Sequence, residues 1–195
     1  MFNILLDPLP TEYNGWLIRT DFRIGVQISL AMVDRSLSDS DKTAVAFHLL
    51  YGNGIPDTQT AAEGLRWFLR CGEDERTDIP KDNSPPSFFW DFDAGRIWAS
   101  FKASYDIDLH TANLHWFEFC NLMASVGKDT SLGKAMEVRN FSIKGIKGEE
   151  RAKVTRAKLA LSPPVQKTED EKAEEAALKS EMEDLMKAVT DNARS

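Results

Sequence analysis

The chain has 195 residues, 42% of them hydrophobic and 28% charged, a composition that supports a folded core in one compact domain plus a tail and excludes general disorder. Its net charge of −7 is uneven: residues 1–141 hold 13 basic and 20 acidic side chains, residues 142–165 hold 6 and 2, and residues 166–195 hold 5 and 9. An acidic body repels nucleic-acid phosphates, which disfavours a DNA- or RNA-binding role outside the short basic block.

The opening Met1-Phe2-Asn3-Ile4-Leu5-Leu6-Asp7-Pro8 lacks a basic flank, and its apolar run is too short for a signal peptide. No stretch approaches the roughly 18 uninterrupted apolar residues needed to span a bilayer, so a cytoplasmic protein without a membrane partner is expected. Phe2–Leu6 and Trp16–Arg19 read as extended pieces joined through Pro8, Pro10 and an Asn14-Gly15 turn, which predicts a small hairpin. Thr20 and Asp21 then supply an N-cap for a run to Asp34. Its residues alternate at first as a strand would, but Phe22, Val26, Leu30 and Val33 share a helical face, and Ala31 and Met32 break the alternation. A helix is predicted.

Ser38 with Asp41 marks a second helix start, with Val45, Leu49 and Leu50 at helical spacing and Gly52 and Gly54 as the stop. After Pro56, Asp57 or Thr58 caps a third helix through Cys71, lined by Leu65, Phe68 and Leu69 and closed by Gly72. Residues 72–88 are charged and proline-rich and predict an exposed linker between two helical halves.

Beyond the linker, Phe92–Tyr105 spaces Ile97, Phe101 and Tyr105 by four. Leu114–Val126 is apolar over much of its circumference and is expected to be the central core helix. A short helix over 131–141 precedes a basic helix, Glu149–Leu161, ended by Pro163-Pro164. Lys172–Val189 places Leu178, Met182, Leu185, Met186 and Val189 on one stripe, with Glu175/Lys179 and Glu183/Lys187 as favourable i,i+4 pairs. The predicted fold is mainly α: a compact bundle of about six to seven short helices with a small N-terminal hairpin. Residues 1–165 form the body, and residues 166–195 form an acidic amphipathic arm whose order the sequence leaves open.

Candidate chemistry is sparse. His48, His110, His115, Cys71 and Cys120 are the available soft or imidazole ligands, and they show no CxxC, HxH or HExxH spacing. His115, beside Trp116, reads as a core or boundary histidine, and the cysteines as two buried reduced thiols. There is no GxSxG, and Gly52-Asn53-Gly54 lacks the lysine and hydroxyl residue of a phosphate loop, so it reads as a helix stop. The pairs Asp91/Asp93 and Asp106/Asp108 could do acid–base work or bind a hard cation, but carboxylates at helix ends more often act as caps, and capping is expected for Asp91 and Asp93. No catalytic, cofactor-binding or metal-ligating residue is assigned, and an enzyme is not expected.

Binding features are clearer. Lys144, Lys147, Arg151, Lys153, Arg156 and Lys158 form the basic block, which suits protein contact better than nucleic acid because it lacks aromatic platforms. The methionine-containing stripe of the arm suits helix-in-groove binding. The residues expected to touch a partner are Arg151, Lys153, Arg156, Lys158, Leu178, Met182, Leu185 and Met186.

An ordered set of motifs carries a family resemblance. It begins with Asn3-Ile4-Leu5-Leu6-Asp7-Pro8-Leu9-Pro10, Gly15 and Thr20-Asp21-Phe22-Arg23, then Tyr51-Gly52, Pro56-Asp57 and Ala62 to Gly72. Asp91-Phe92-Asp93-Ala94, Ile97, Phe101, Tyr105 to Leu109, Leu114-His115-Trp116, Arg139-Asn140 and Ile143 follow. Over residues 2–161 the chain resembles the bacteriophage gene-product-fifteen family of long-tailed phages and prophages of Gram-positive bacteria. The resemblance implies a tail-assembly chaperone that binds the tape-measure protein and tail-tube subunits in the host cytoplasm, with self-association an open question. A minor structural component of the virion is the alternative. The family motifs assign no catalytic residue.

Overall fold

The computed structural model describes residues 3–73 and 86–164, together with 173, 177–180 and 182. The chain divides into two units, Met1–Pro163 and Pro164–Ser195. Among the described residues the first unit is mainly helical, with a small antiparallel hairpin near its N-terminus.

Asn14 and Gly15 both have positive φ, as a two-residue hairpin turn requires, and they join β1 (Glu12–Tyr13) to β2 (Trp16–Leu17) with Tyr13 opposite Trp16. The expected first strand, Phe2–Leu6, is displaced to Glu12–Tyr13. Ile4–Leu6 instead turn over Asn3, whose carbonyl accepts from the N–H groups of Leu6 and Asp7 at 3.0 and 2.8 Å. The Asn3 side chain accepts from Leu5 N–H, and Asp7 accepts from Asn3 N–H, so local side-chain acceptors outcompete a strand that has no neighbour. Phe2 lies outside the described residues.

Helix α1 (Phe22–Val33) is capped by Asp21, which accepts from Arg23 N–H at 2.8 Å. Its buried stripe is Phe22, Gly25 and Ile28, whereas Val33 is exposed and Val26 and Leu30 are half-buried. The face is therefore rotated from the expected Phe22/Val26/Leu30/Val33 stripe, and Gly25 is the reason. A Cβ there would lie 2.2 Å from Cε3 of Trp116, so the bare glycine lets that indole lie against the helix backbone.

Helix α2 (Asp39–Tyr51) starts at Ser38, whose hydroxyl accepts from Asp41 N–H, and ends at Gly52 with positive φ. Ala46, Phe47, Leu50 and Tyr51 are buried while Val45 is exposed, one position away from part of the expected stripe. Helix α3 (Thr58–Leu69) is capped by Asp57, which accepts from Gln59 and Thr60 N–H at 3.1 Å. Its end is a double left-handed turn: Cys71 and Gly72 both have positive φ, and Gly72 N–H reaches back to Trp67 O at 3.0 Å. The Tyr51 hydroxyl donates to Ala61 O across the α2–α3 contact, and burial, then the neighbouring Tyr13, push its pKa up to about 12.

Helices α4 (Ala94–Tyr105), α5 (Trp116–Ala124), α6 (Ser131–Asn140) and α7 (Gly148–Ala160) complete the body. Backbone pairing sets α1 and α5 side by side at their starts: Phe22 N–H bonds Leu114 O at 3.0 Å, and Trp116 N–H bonds Thr20 O at 2.7 Å. Helix α5 then occupies the centre, as a run apolar over much of its circumference predicts. Phe119 stacks on Phe22 at 4.7 Å and on Phe101 at 5.0 Å, while Trp116 meets Phe68 at 6.0 Å. The elements before and after residues 74–85 thus share one continuous core.

Candidate partner-binding surfaces

Helix α7 carries Arg151, Lys153 and Arg156 as exposed cations, and none of its residues is fully buried. What holds so polar a helix to the body is its C-terminal turn. Lys158 is half-buried and donates to Arg139 O at 2.7 Å, and Leu161 O accepts from Arg139 Nε at 2.7 Å and from Nη2. Of the four basic residues expected to meet a partner, Lys158 is therefore tied to the fold, while the other three face solvent. Leu159 is 68% exposed beside them.

Arg139 is the centre of a buried polar cluster that sequence reasoning missed. Asp93 is fully buried and receives Arg139 Nη1 at 2.6 Å, Arg139 Nη2 at 2.9 Å, Arg96 Nη1 at 2.7 Å and Phe89 N–H at 2.9 Å. Arg139 also donates to Ser87 O at 3.1 Å and packs over the rings of Phe89 and Phe92. Burial works against the charge on Asp93, but the Arg139 hydrogen bonds, with Phe89 N–H and Arg96, outweigh it and hold the carboxyl below its usual range. Asp93 stands at the N-cap position of α4, yet its side chain makes no cap hydrogen bond. The expected capping role is thus replaced by an ion pair, because an arginine on α6 reaches the carboxylate first. A signal was present: Leu132, Ala135 and Arg139 lie on one face of α6, and an arginine in line with two buried apolar residues requires a buried partner.

The histidines do not converge. His115 is the N-cap of α5: its Nδ1 accepts from Phe117 N–H at 3.0 Å, and Glu118 returns the bond by accepting from His115 N–H at 3.0 Å. With Nδ1 an acceptor, Nε2 carries the proton and donates to Pro10 O at 3.0 Å, which ties the N-terminal segment to the core helix. His110 is exposed near Trp98, and His48 is exposed in the last turn of α2. Asp106 ends α4 with left-handed backbone and pairs with Lys102 at 2.6 Å, while Asp108 accepts from Trp98 Nε1 and His110 N–H. Among the described residues no group of three metal-ligating side chains gathers, and no helix is long and apolar enough to cross a membrane. The two free cysteines are half-buried rather than buried, and the fold brings their thiols together.

Apolar side chains also reach the surface. Leu5 and Leu6 are 88% and 81% exposed in the N-terminal turn, and Leu17 of the hairpin is 75% exposed. In the second unit Leu178 and Met182 lie in helical turns and are exposed. Leu185 and Met186 lie outside the described residues, as do Val189, most of the predicted Lys172–Val189 helix and most of the predicted 72–88 linker.

One family model of bacteriophage proteins matches residues 5–162, most of the chain and nearly all of the first unit. The chain belongs to that family, described as Bacteriophage Gp15 protein. No curated protein and no solved structure matches it.

Proposed function

We propose that this phage protein serves tail assembly by binding: it holds the tape-measure protein, and in turn tail-tube subunits, in the host bacterial cytoplasm and is absent from the mature virion. The observation that carries the reading is the set of exposed apolar side chains, Leu5, Leu6, Leu17 and Leu159, on a charged body that belongs to a phage family. A holder of long, aggregation-prone helices needs apolar contact points and a net charge that keeps the complex soluble, and the chain offers both. The cations of α7, Arg151, Lys153 and Arg156, add a surface suited to acidic segments of a partner. The side chains with chemical potential, His115, Asp93, Asp106 and Asp108, are engaged in local structure, which supports binding rather than catalysis.

Mass spectrometry of purified virions tests where the protein acts. The proposal expects tail-tube and tape-measure peptides without stoichiometric amounts of this chain. Stoichiometric presence would favour the alternative, a minor structural component of the tail.

A further inference from the structure

Cys71 and Cys120 are distant in the chain but meet in the fold. Cys71 lies one turn beyond Trp67 and Phe68, in the left-handed turn that ends α3, with its N–H bonded to Phe68 O at 3.0 Å. Cys120 lies one turn beyond Trp116 and Phe117 on α5. The preceding turns are already in contact, with Trp67 meeting Phe117 at 5.4 Å and Phe68 meeting Trp116 at 6.0 Å. One further turn on each element brings the Cys71 thiol beside the Cys120 thiol. Both are free and half-buried, so a small reagent can reach a pair that the surrounding core holds in place. The chain has 2 cysteines, so no third thiol competes for an internal bridge.

We infer that Cys71 and Cys120 form an oxidisable thiol pair, which a small-molecule disulfide converts to an intramolecular disulfide that staples the end of α3 to the middle of α5. The pair has a built-in order of reaction. The Cys120 thiol beside it holds the Cys71 thiol below its ordinary range against burial and the nearby Glu73 carboxylate. The neighbouring Cys71, followed by burial, pushes the Cys120 thiol up. Cys71 is therefore the attacking thiolate.

Its sulfur attacks one sulfur of the reagent, the reagent's S–S bond breaks, and one thiolate leaves and takes a proton from solvent. Cys120 then gives its proton to solvent and attacks the Cys71 sulfur of the mixed disulfide, expelling the second thiol. Two protein S–H bonds become one S–S bond, and the reagent's S–S bond becomes two S–H bonds. The bridge links elements on either side of residues 74–85 and so restricts the unfolded chain more than the folded one.

The test uses the reduced full-length chain and oxidised glutathione at neutral pH, read by intact mass, peptide mapping and thermal unfolding. Expected are a loss of the mass of two hydrogens without retained glutathione, a linked Cys71–Cys120 peptide, and a Tm raised by roughly 5–15 °C that reverts on treatment with dithiothreitol. Cys120→Ser should stop at glutathione held on Cys71, and Cys71→Ser should react at least about tenfold more slowly than the wild type. A wild-type chain that retains glutathione, links to a second copy, or stays reduced while glutathione disulfide oxidises an unstructured dithiol peptide would overturn the inference.

Discussion

Replacing Arg139 with methionine keeps most of the side-chain volume on α6 and removes the charge that faces Asp93. The carboxylate, fully buried, would retain Phe89 N–H and the half-exposed Arg96, while Ser87 O and Leu161 O would each lose a donor. Breaking one side of a buried, hydrogen-bonded ion pair costs about 3–5 kcal/mol, a large part of the roughly 5–15 kcal/mol that holds a domain folded. Urea unfolding at pH 7, followed by tryptophan fluorescence, should show that loss. Asp93→Leu alone should also destabilise, whereas combining it with Arg139→Met should cost less than the two singles together by at least about 1–3 kcal/mol, since neither charge is then stranded.

The pH dependence has a definite sign. Because the folded pKa of Asp93 is depressed, the pair's contribution is present above the unfolded carboxylate value of about 3.9 and is lost as pH falls through the folded value. The gap between wild type and Arg139→Met should therefore narrow on acidification. A loss below about 0.5 kcal/mol for Arg139→Met, or strict additivity in the double variant, would refute the cluster as a unit.

Three further outcomes follow from the geometry. Gly25→Ala places a methyl group against the fixed indole of Trp116 and should cost about 1–3 kcal/mol in chemical denaturation, although alanine favours helix in general. His115→Ala removes the α5 cap and the bond to Pro10 and should cost about 1–2 kcal/mol, with His115→Asn losing less because asparagine also caps. Combined Arg151→Glu, Lys153→Glu and Arg156→Glu should change stability by no more than about 0.5 kcal/mol per site, because these residues are exposed, while weakening capture of the tape-measure protein in a pull-down.

Local chemistry made much of this fold legible. Asn14-Gly15, the caps at Asp21, Ser38 and Asp57, and the stops at Gly52 and Gly72 each act within a few residues, so their sequence signals survive in the structure. The central position of α5 was legible because it is apolar over much of its circumference. What escaped depends on partners far along the chain. Gly25 faces inward because Trp116 fits against it, and counting apolar side chains passes over a glycine. Asp93 looks like a cap until Arg139, 46 residues away, is brought to it. The two thiols likewise become neighbours only when α3 and α5 pack. Of the surface residues expected to meet a partner, Lys158 alone among the basic ones is drawn into the fold, by the Arg139 carbonyl in the last turn of α6.

The central claim, that this chain binds and keeps soluble the tape-measure protein, is tested most directly by producing the phage's tape-measure protein with and without the chain. Soluble and insoluble fractions are then compared, and the soluble material is passed over a size-exclusion column. Tape-measure protein is expected to become soluble only when the chain is present, and the two to elute together. Equal solubility in both preparations, with separate elution, would contradict it.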